Sequence, residues 1–357
     1  MLFFLESHKT FSIFKSSTAS PLCLAINGFG RIGRTVFKAG FERPGVRFMA
    51  INDLTEPKIL AHLLTHDSVF RTWPHKVECD AKNLIVDGIK IPVIAETDPA
   101  KLPWKEHGVD VVLECTGRFT NAEDASKHLE AGAKKVVISA PAKGVPTYLM
   151  GVNHKQCRKT DRIVNNASCT TNSIAPVAQI MEETFGVRKA MMTTVHSVTA
   201  EQNIVDGLPP KRHPDLRRAR AALTNIVPTS TGAAKATAEV VPTLKGKFDG
   251  IAVRVPSLDV SLSDFTFLLK RKTTVEEVNK AFRKAAQSAR WKGILEVSDV
   301  PLVSSDFVQN SCSSIVDTEM TRVVDGDLVK VLAWYDNEWG YSVRLMDIAE
   351  LIGRLSS

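Results

Sequence analysis

The chain has 357 residues, 44% of them hydrophobic and 24% charged, a globular mixture with room for two domains of ordinary size. That excludes global disorder, a collagen-like repeat and a disulfide-stapled miniprotein. The 46 Lys+Arg against 39 Asp+Glu give a formal charge of +7, which favours anionic partners from small phosphates to nucleic acid without choosing among them.

No uninterrupted apolar run approaches membrane-spanning length. The six cysteines, Cys23, Cys79, Cys115, Cys157, Cys169 and Cys312, are scattered, with no Cys-x-x-Cys pair and no secretory signal ahead of them. They read as free thiols in a reducing compartment, with the cytoplasm as the default location. Residues 1 to 20 differ in texture, with seven Ser/Thr, two Lys, one Glu and scattered Phe. A disordered leader is expected there; the stretch is short for a transit peptide and carries no Arg.

From Leu22 the pattern is a strand to Ile26, a glycine-rich turn, a helix from about Arg31, and a second strand from Val46 to Ile51 that ends on Asn52 and Asp53. Further strands are expected at Val109 to Glu114 and Lys135 to Ser139, with a helix from Ala122 to Ala131 before the latter. Alternating strands and helices imply a Rossmann-type parallel sheet covered on both faces. After about Ala167 the texture changes. A helix from Thr170 to Phe185, interrupted or kinked near Pro176, leads into long strands at Lys189 to Val195, Ile251 to Val255, Ser261 to Lys270 and Leu328 to Tyr335, with few helices between. The expected architecture is therefore α/β: a dinucleotide-binding domain over 21–168, then an α+β catalytic domain with a mostly antiparallel sheet over 169–335. An amphipathic helix from Ser342 to Leu355, within 336–357, should return to complete the first domain.

Gly28-Phe29-Gly30-Arg31-Ile32-Gly33 is G-x-G-x-x-G placed between a strand and a helix. Gly28 permits the tight turn, Gly30 lets backbone approach a pyrophosphate, and Gly33 allows close helix–strand packing beneath a helix N-terminus. Asp53, at the end of the next strand, can accept hydrogen bonds from ribose hydroxyls and repels a 2′-phosphate, which selects NAD over NADP. Cys169 follows Ser168, a credible N-cap, so its thiol sits at a helix N-terminus where the dipole favours thiolate; a nearby imidazole would lower its pKa further. His196 ends a strand and begins a polar loop. A Cys169–His196 pair is possible on this pattern, but sequence gives no distance, and a satisfied core histidine is the commoner fate of such a residue. His62, His66, His128 and His154 lack a comparable flank, and no His/Cys/Asp cluster has metal-ligand spacing.

With these residues in view, the chain closely resembles the phosphorylating glyceraldehyde-3-phosphate dehydrogenases. The matching blocks, in family order, are Ile26 to Arg34, Ala167-Ser-Cys-Thr-Thr-Asn172, Thr229 to Lys235, Arg254-Val-Pro256 and Trp334 to Tyr341. The resemblance implies NAD-dependent conversion of glyceraldehyde 3-phosphate and inorganic phosphate to 1,3-bisphosphoglycerate, in glycolysis or gluconeogenesis, by a homotetramer. It implies Cys169 as nucleophile and His196 as its base. Gly28, Gly30, Arg31, Ile32, Gly33 and Asp53 would contact the cofactor, Asn337 would hold the nicotinamide carboxamide, and Tyr341 would lie close by. Thr199 and Arg254 look like ligands of the substrate phosphate; Ser168, Thr170, Thr231 and Gly232 belong with the phosphate-binding set. Two alternatives stand beside this. One is an erythrose-4-phosphate dehydrogenase; the other is a basic binding or scaffold protein using Lys211, Arg212, Arg217, Arg218 and Arg220, although arginines in such a loop are more often intramolecular or subunit contacts.

Three departures from the family pattern bear on these expectations. Ser173 stands where many members carry a second Cys, which removes an oxidation partner but no step of the chemistry. His66-Asp-Ser-Val-Phe-Arg71 replaces a more usual Tyr-Asp-Ser-x-His-Gly near the adenine side. The loop Gly207 to Pro214 is a few residues longer than usual.

Overall fold

Strand Leu22–Asn27, apolar at nearly every position, is the centre of a sheet because its side chains must be covered on both faces. In the computed structural model, which describes residues 20–209 and 215–355, that sheet runs in the order Ile163–Asn165, Lys135–Ile138, Val111–Glu114, Leu22–Asn27, Val46–Asn52, Ile89–Ile94, Asn83–Val86 and Val77–Cys79. The pairs as far as Ile89–Ile94 are parallel; the last two strands fold back as an antiparallel meander that the sequence reading did not separate. Helices Arg31–Phe41, Ala122–Glu130 and Trp339–Arg354 pack on the sheet. The expected leader over residues 1–20 lies outside the described residues apart from Ser20.

A second sheet takes the order Val227–Ser230, Phe248–Arg254, Val187–His196, Ser261–Leu269, Leu328–Tyr335, Ser314–Val324 and Leu295–Ser298. It is mostly antiparallel, with parallel pairs at Val187–His196 beside Phe248–Arg254 and at Leu295–Ser298 beside Ser314–Val324. Ser261–Leu269 alternates buried and half-buried along its whole length, the signature of a sheet with one face on the core. Helix Cys169–Phe185 covers that face together with Ala233–Val240 and Val275–Ala286.

Three expectations change. Cys169–Phe185 continues without interruption through Pro176. Two helices stand where few were expected. Val275–Ala286 carries an ordinary start signal, with Thr274 accepting from Glu277 N and Glu276 and Glu277 in the first turn. The returning helix begins at Trp339, within the expected 336–357 and three residues before the expected Ser342.

The His66 to Arg71 departure has a structural expression. His66–Asp67 and Arg71–Thr72 pair as a small hairpin, and Arg71 sits at φ 64°, in the left-handed region where the family's usual residue is glycine. Arg71 is exposed and a side chain there carries a conformational cost of about 1 kcal/mol. Arg71→Gly is expected to leave stability unchanged or raise it by up to about 1 kcal/mol. Chemical denaturation measures this; a loss above that size would mean the side chain makes a stabilising contact.

Candidate active site

At the carboxyl ends of the parallel strands, the turn after Asn27 begins at Gly28, φ 91°. A Cβ on Gly28 would meet Thr116 at 2.8 Å and one on Gly33 would overlap the Gly28 carbonyl oxygen, whereas Gly30 faces open space. Two glycines are therefore required by close packing and the third leaves the approach to the helix N-terminus clear, a cradle that fits a pyrophosphate. Asp53 closes the turn: one carboxylate oxygen accepts from Phe29 N at 2.7 Å and the other from Thr55 N at 3.0 Å. Ile32 is half-buried against the core.

The Arg31 side chain is committed elsewhere. Its Nη1 pairs with Asp67 at 2.6 Å and its Nε with Glu338 at 2.5 Å, and its guanidinium lies over the Phe70 ring at 4.9 Å. Arg31 therefore serves the cradle through its position in the first helical turn, while its side chain ties the cradle to the loop before the last helix. Phe70, in the departed segment, is the platform for that tie and packs on Trp339 at 5.7 Å.

The thiol site lies where helix Cys169–Phe185 meets the end of strand Val187–His196. Ser168 caps the helix, its Oγ accepting from Thr171 N at 3.1 Å, and Ala167 before it takes a left-handed φ of 51°. The sulfur of Cys169 lies 3.5 Å from His196 Nε2. This settles what the sequence left open: the two residues meet. His196 Nδ1 lies 2.8 Å from Ser197 O, and Arg254 Nη1 sits 2.7 Å from Nδ1 and 3.0 Å from that same carbonyl. Arg254 Nη1 can only donate and the Ser197 carbonyl can only accept, so the two compete for Nδ1. In the tautomer that donates Nδ1–H to the carbonyl, Nε2 presents its lone pair to the thiol, the arrangement a base requires.

The electrostatics differ from the expectation of a freely ionising thiol. Burial pushes the Cys169 thiol up from its ordinary value, with Arg254 and the Thr170 hydroxyl and N–H pulling the other way. Burial, reinforced by Arg254, pushes His196 down to about 3. Each shift taken alone favours the neutral pair. Transfer of the proton along the Sγ–Nε2 contact instead creates opposite charges side by side, with the helix N-terminus and Arg254 next to the sulfur. The site therefore holds a base beside a protonated nucleophile.

Around this pair the remaining predicted residues fall into place unevenly. Thr199 Oγ1 and Arg254 Nε are buried with no hydrogen-bond partner among the described residues. Thr231 accepts from Ala233 N at 3.2 Å beside Gly232, which opens helix Ala233–Val240 with no side-chain cap and no neighbour in the way of a ligand. Asn337 turns its Oδ1 toward two hydroxyls, Ser197 at 2.9 Å and Ser261 at 2.7 Å, which leaves its amide nitrogen for another partner. Tyr341 OH donates to Ala167 O at 3.2 Å, bracing the left-handed residue behind the cap. Ser173 is fully buried one turn past Cys169.

Several contributors were not singled out from sequence. Tyr335 OH bridges Thr170 at 3.0 Å and Thr194 at 2.7 Å, linking the start of the helix to the strand that ends at His196. Asp336 accepts from Glu338 N, Trp339 N and Gln309 N, which fixes the loop presenting Asn337. Burial, with Asp336 and Glu338 nearby, pushes Asp259 well up from the ordinary carboxylate range, and burial pushes Glu338 up to about 7 against the pull of Arg31. Tyr335 and Asp336 lie inside the Trp334 to Tyr341 block, so position was legible there and role was not.

The described arginines of the basic cluster pair within the chain: Arg217 with Asp215, Arg218 with Glu201 and Arg220 with Asp206. Lys211, Arg212 and the centre of the Gly207 to Pro214 loop lie outside the described residues.

A Rossmann cradle joined to a second domain that brings a half-buried thiol beside a buried imidazole has the architecture of a dinucleotide-dependent dehydrogenase. Comparison with known proteins gives the same class and narrows it. Residues 22–122 match the family profile described as glyceraldehyde 3-phosphate dehydrogenase, NAD binding domain, and 168–337 match its C-terminal domain. A glyceraldehyde-3-phosphate dehydrogenase of Zymomonas mobilis is 52% identical over 91% of this chain and 97% of its own length. Relatives of that name from Bacillus cereus and Geobacillus stearothermophilus are each 54% identical over 91% and 92% of this chain respectively, and 97% of their own lengths. The chain belongs to the glyceraldehyde-3-phosphate dehydrogenase family, and its cofactor is NAD.

Proposed function

We propose that the protein oxidises glyceraldehyde 3-phosphate with NAD and inorganic phosphate to 1,3-bisphosphoglycerate, in glycolysis or gluconeogenesis, with Cys169 as nucleophile and His196 as base. The observation that carries the reading is the 3.5 Å contact from Cys169 Sγ to His196 Nε2 at a helix N-terminus. The sulfur attacks the aldehyde carbon while Nε2 takes the thiol proton, and the thiohemiacetal oxygen then needs a donor, a role open to the imidazolium. Bound NAD supplies the acceptor for the hydride that leaves this carbon. What remains on Cys169 is a thioester, which keeps the acyl group activated until a phosphate oxygen attacks its carbon and the thiolate departs.

Thr199 and Arg254, whose Oγ1 and Nε have no partner among the described residues, suit the phosphate carried by the substrate. Ser168, Thr170, Thr231 and Gly232 supply hydroxyls and backbone N–H groups for the attacking phosphate. Asn337 offers its amide nitrogen to the nicotinamide carboxamide, while Gly28, Gly30, Arg31, Ile32 and Gly33 cradle the pyrophosphate and Asp53 accepts from the ribose. Residues 21–168 with the helix within 336–357 form the cofactor unit and 169–335 the catalytic unit.

The working form is a cytoplasmic homotetramer. Ile204, Val205, Leu208, Leu216, Leu223 and Ile226 are all exposed along one stretch of chain, apolar surface of the kind a neighbouring subunit covers. Light scattering behind size exclusion tests the assembly; a monomer at micromolar concentration would sink that part.

The chemistry is tested by NADH formation from glyceraldehyde 3-phosphate and NAD with and without inorganic phosphate. Sustained turnover only with phosphate is expected. A single burst that phosphate does not extend would mean that acyl transfer to phosphate is not this protein's reaction.

A further inference from the structure

One buried carboxylate takes no part in the chemistry above. Glu114, the last residue of strand Val111–Glu114, is 1% exposed, and no Lys or Arg pairs with it among the described residues. Its Oε2 accepts from Asn27 Nδ2 at 2.6 Å and lies 3.0 Å from His128 Nε2; its Oε1 accepts from Thr116 N at 2.8 Å and from the Thr116 hydroxyl. Behind the imidazole, Trp104 Nε1 donates to His128 Nδ1 at 3.0 Å. An indole N–H can only donate, so Nδ1 is the acceptor of the ring and Nε2 carries the hydrogen that points at Glu114.

On the other side, Asn52 Nδ2 donates to Asn27 Oδ1 at 2.6 Å, and Asn52 is itself held by both backbone groups of Glu96. Every direction is therefore fixed. Donation runs from Trp104 through His128 to Glu114, and from Asn52 through Asn27 to the same carboxylate. All five side chains are buried.

The chain of bonds crosses the carboxyl ends of three adjacent parallel strands, the place where a dinucleotide sits in this fold. Asn27 immediately precedes Gly28, Asn52 immediately precedes Asp53, and Thr116 is the residue against which Gly28 is packed. Apolar side chains of similar shape often replace a buried polar cluster without loss of stability, so stability alone does not account for a network at this place. What it provides is a fixed lateral spacing among three loops.

Building on the NAD reading above, we propose that Glu114, oriented by His128 and Trp104, is a positioning residue for the dinucleotide. It sets the glycine turn, Asp53 and the Thr116 loop at the separation that lets pyrophosphate and ribose be met together. Glu114→Gln turns one acceptor into a donor facing donors, and His128→Leu removes both the donor to Glu114 and the acceptor for Trp104. His128→Gln can keep both, because its amide has a carbonyl for the indole and an N–H for the carboxylate.

The test is NAD titration by intrinsic fluorescence, together with NAD KM, kcat at saturating NAD and the rate of Cys169 alkylation by iodoacetamide without NAD. Glu114→Gln and His128→Leu are expected to raise Kd and KM for NAD about tenfold. Saturated kcat and alkylation should stay near wild type, and His128→Gln should recover most of the affinity. Should Glu114→Gln fail to fold, Trp104→Phe, which deletes only the far donor, is expected to show the same pattern with a smaller rise. Wild-type protein that binds NAD beside variants that bind it equally well, whatever their melting temperatures, would overturn this inference alone. Wild-type protein that does not bind NAD would overturn the cofactor reading and this inference with it.

Discussion

Cys169→Ser is expected to abolish sustained NADH formation, with a loss of at least about a thousandfold. The hydroxyl that replaces the thiol is a far weaker acid, so the proton that His196 draws from the sulfur across 3.5 Å is far harder to draw from oxygen. An oxygen ester would in addition be a poorer acyl donor than the thioester. His196→Asn leaves the sulfur in place and removes the base, so a smaller loss is expected, on the order of a hundred- to ten-thousandfold. The rate of Cys169 alkylation should fall with it, because proton removal limits both reactions. NAD titration of each variant separates chemistry from binding and should match wild type. A Cys169→Ser enzyme within tenfold of wild type would require another nucleophile.

The order of these effects follows from features legible in the sequence to different degrees. The packing of the turn from Gly28 to Gly33 was legible, because glycine acts there through backbone geometry, which is local, whereas the bonds by which Asp53 closes the turn, from Phe29 N and Thr55 N, were not. The Cys169–His196 contact could be only half read. The helix start at Ser168 was visible, but the distance to His196 depends on how the strand ending there pairs across the second sheet, a long-range matter that no local pattern carries. Tyr335, which clasps the two elements together, reads locally as one more apolar strand residue, and its hydroxyl acquires a role only when Thr170 and Thr194 arrive from elsewhere.

The second sheet was legible in kind but not in its helices. Val275–Ala286 had both its cap and its acidic first turn in plain sight and was overshadowed by the strong strand patterns on either side. The upward shift of the thiol is not legible locally for a related reason. The helix dipole is a property of the local sequence, whereas desolvation is set by everything that packs around Cys169.

The largest effect on stability is expected far from the chemistry, at Arg43. Its Nη1 bonds Asp347 at 2.7 Å and Glu350 at 2.8 Å, and Nη2 and Nε donate to the carbonyls of Val343 and Ala39. Burial alone would loosen its proton, but the two carboxylates more than offset this and hold the guanidinium above its ordinary value. All three groups are almost completely enclosed between the helix Arg31–Phe41 and the returning helix Trp339–Arg354, so this cluster fastens the two ends of the chain together. Arg43→Met removes the shared cation and leaves two acids in a closed space, with Arg344 still on Asp347 and Arg354 only at 3.4 Å from Glu350. The expected cost is about 3–5 kcal/mol, measured by denaturant unfolding of the domain that carries these helices. Adding Asp347→Asn and Glu350→Gln to Arg43→Met removes the stranded charges and should recover a good part of that loss. If the triple variant is as unstable as the single one, the cluster contributes through packing and the direct hydrogen bonds of Arg43 to the backbone, and the charge-stranding argument fails.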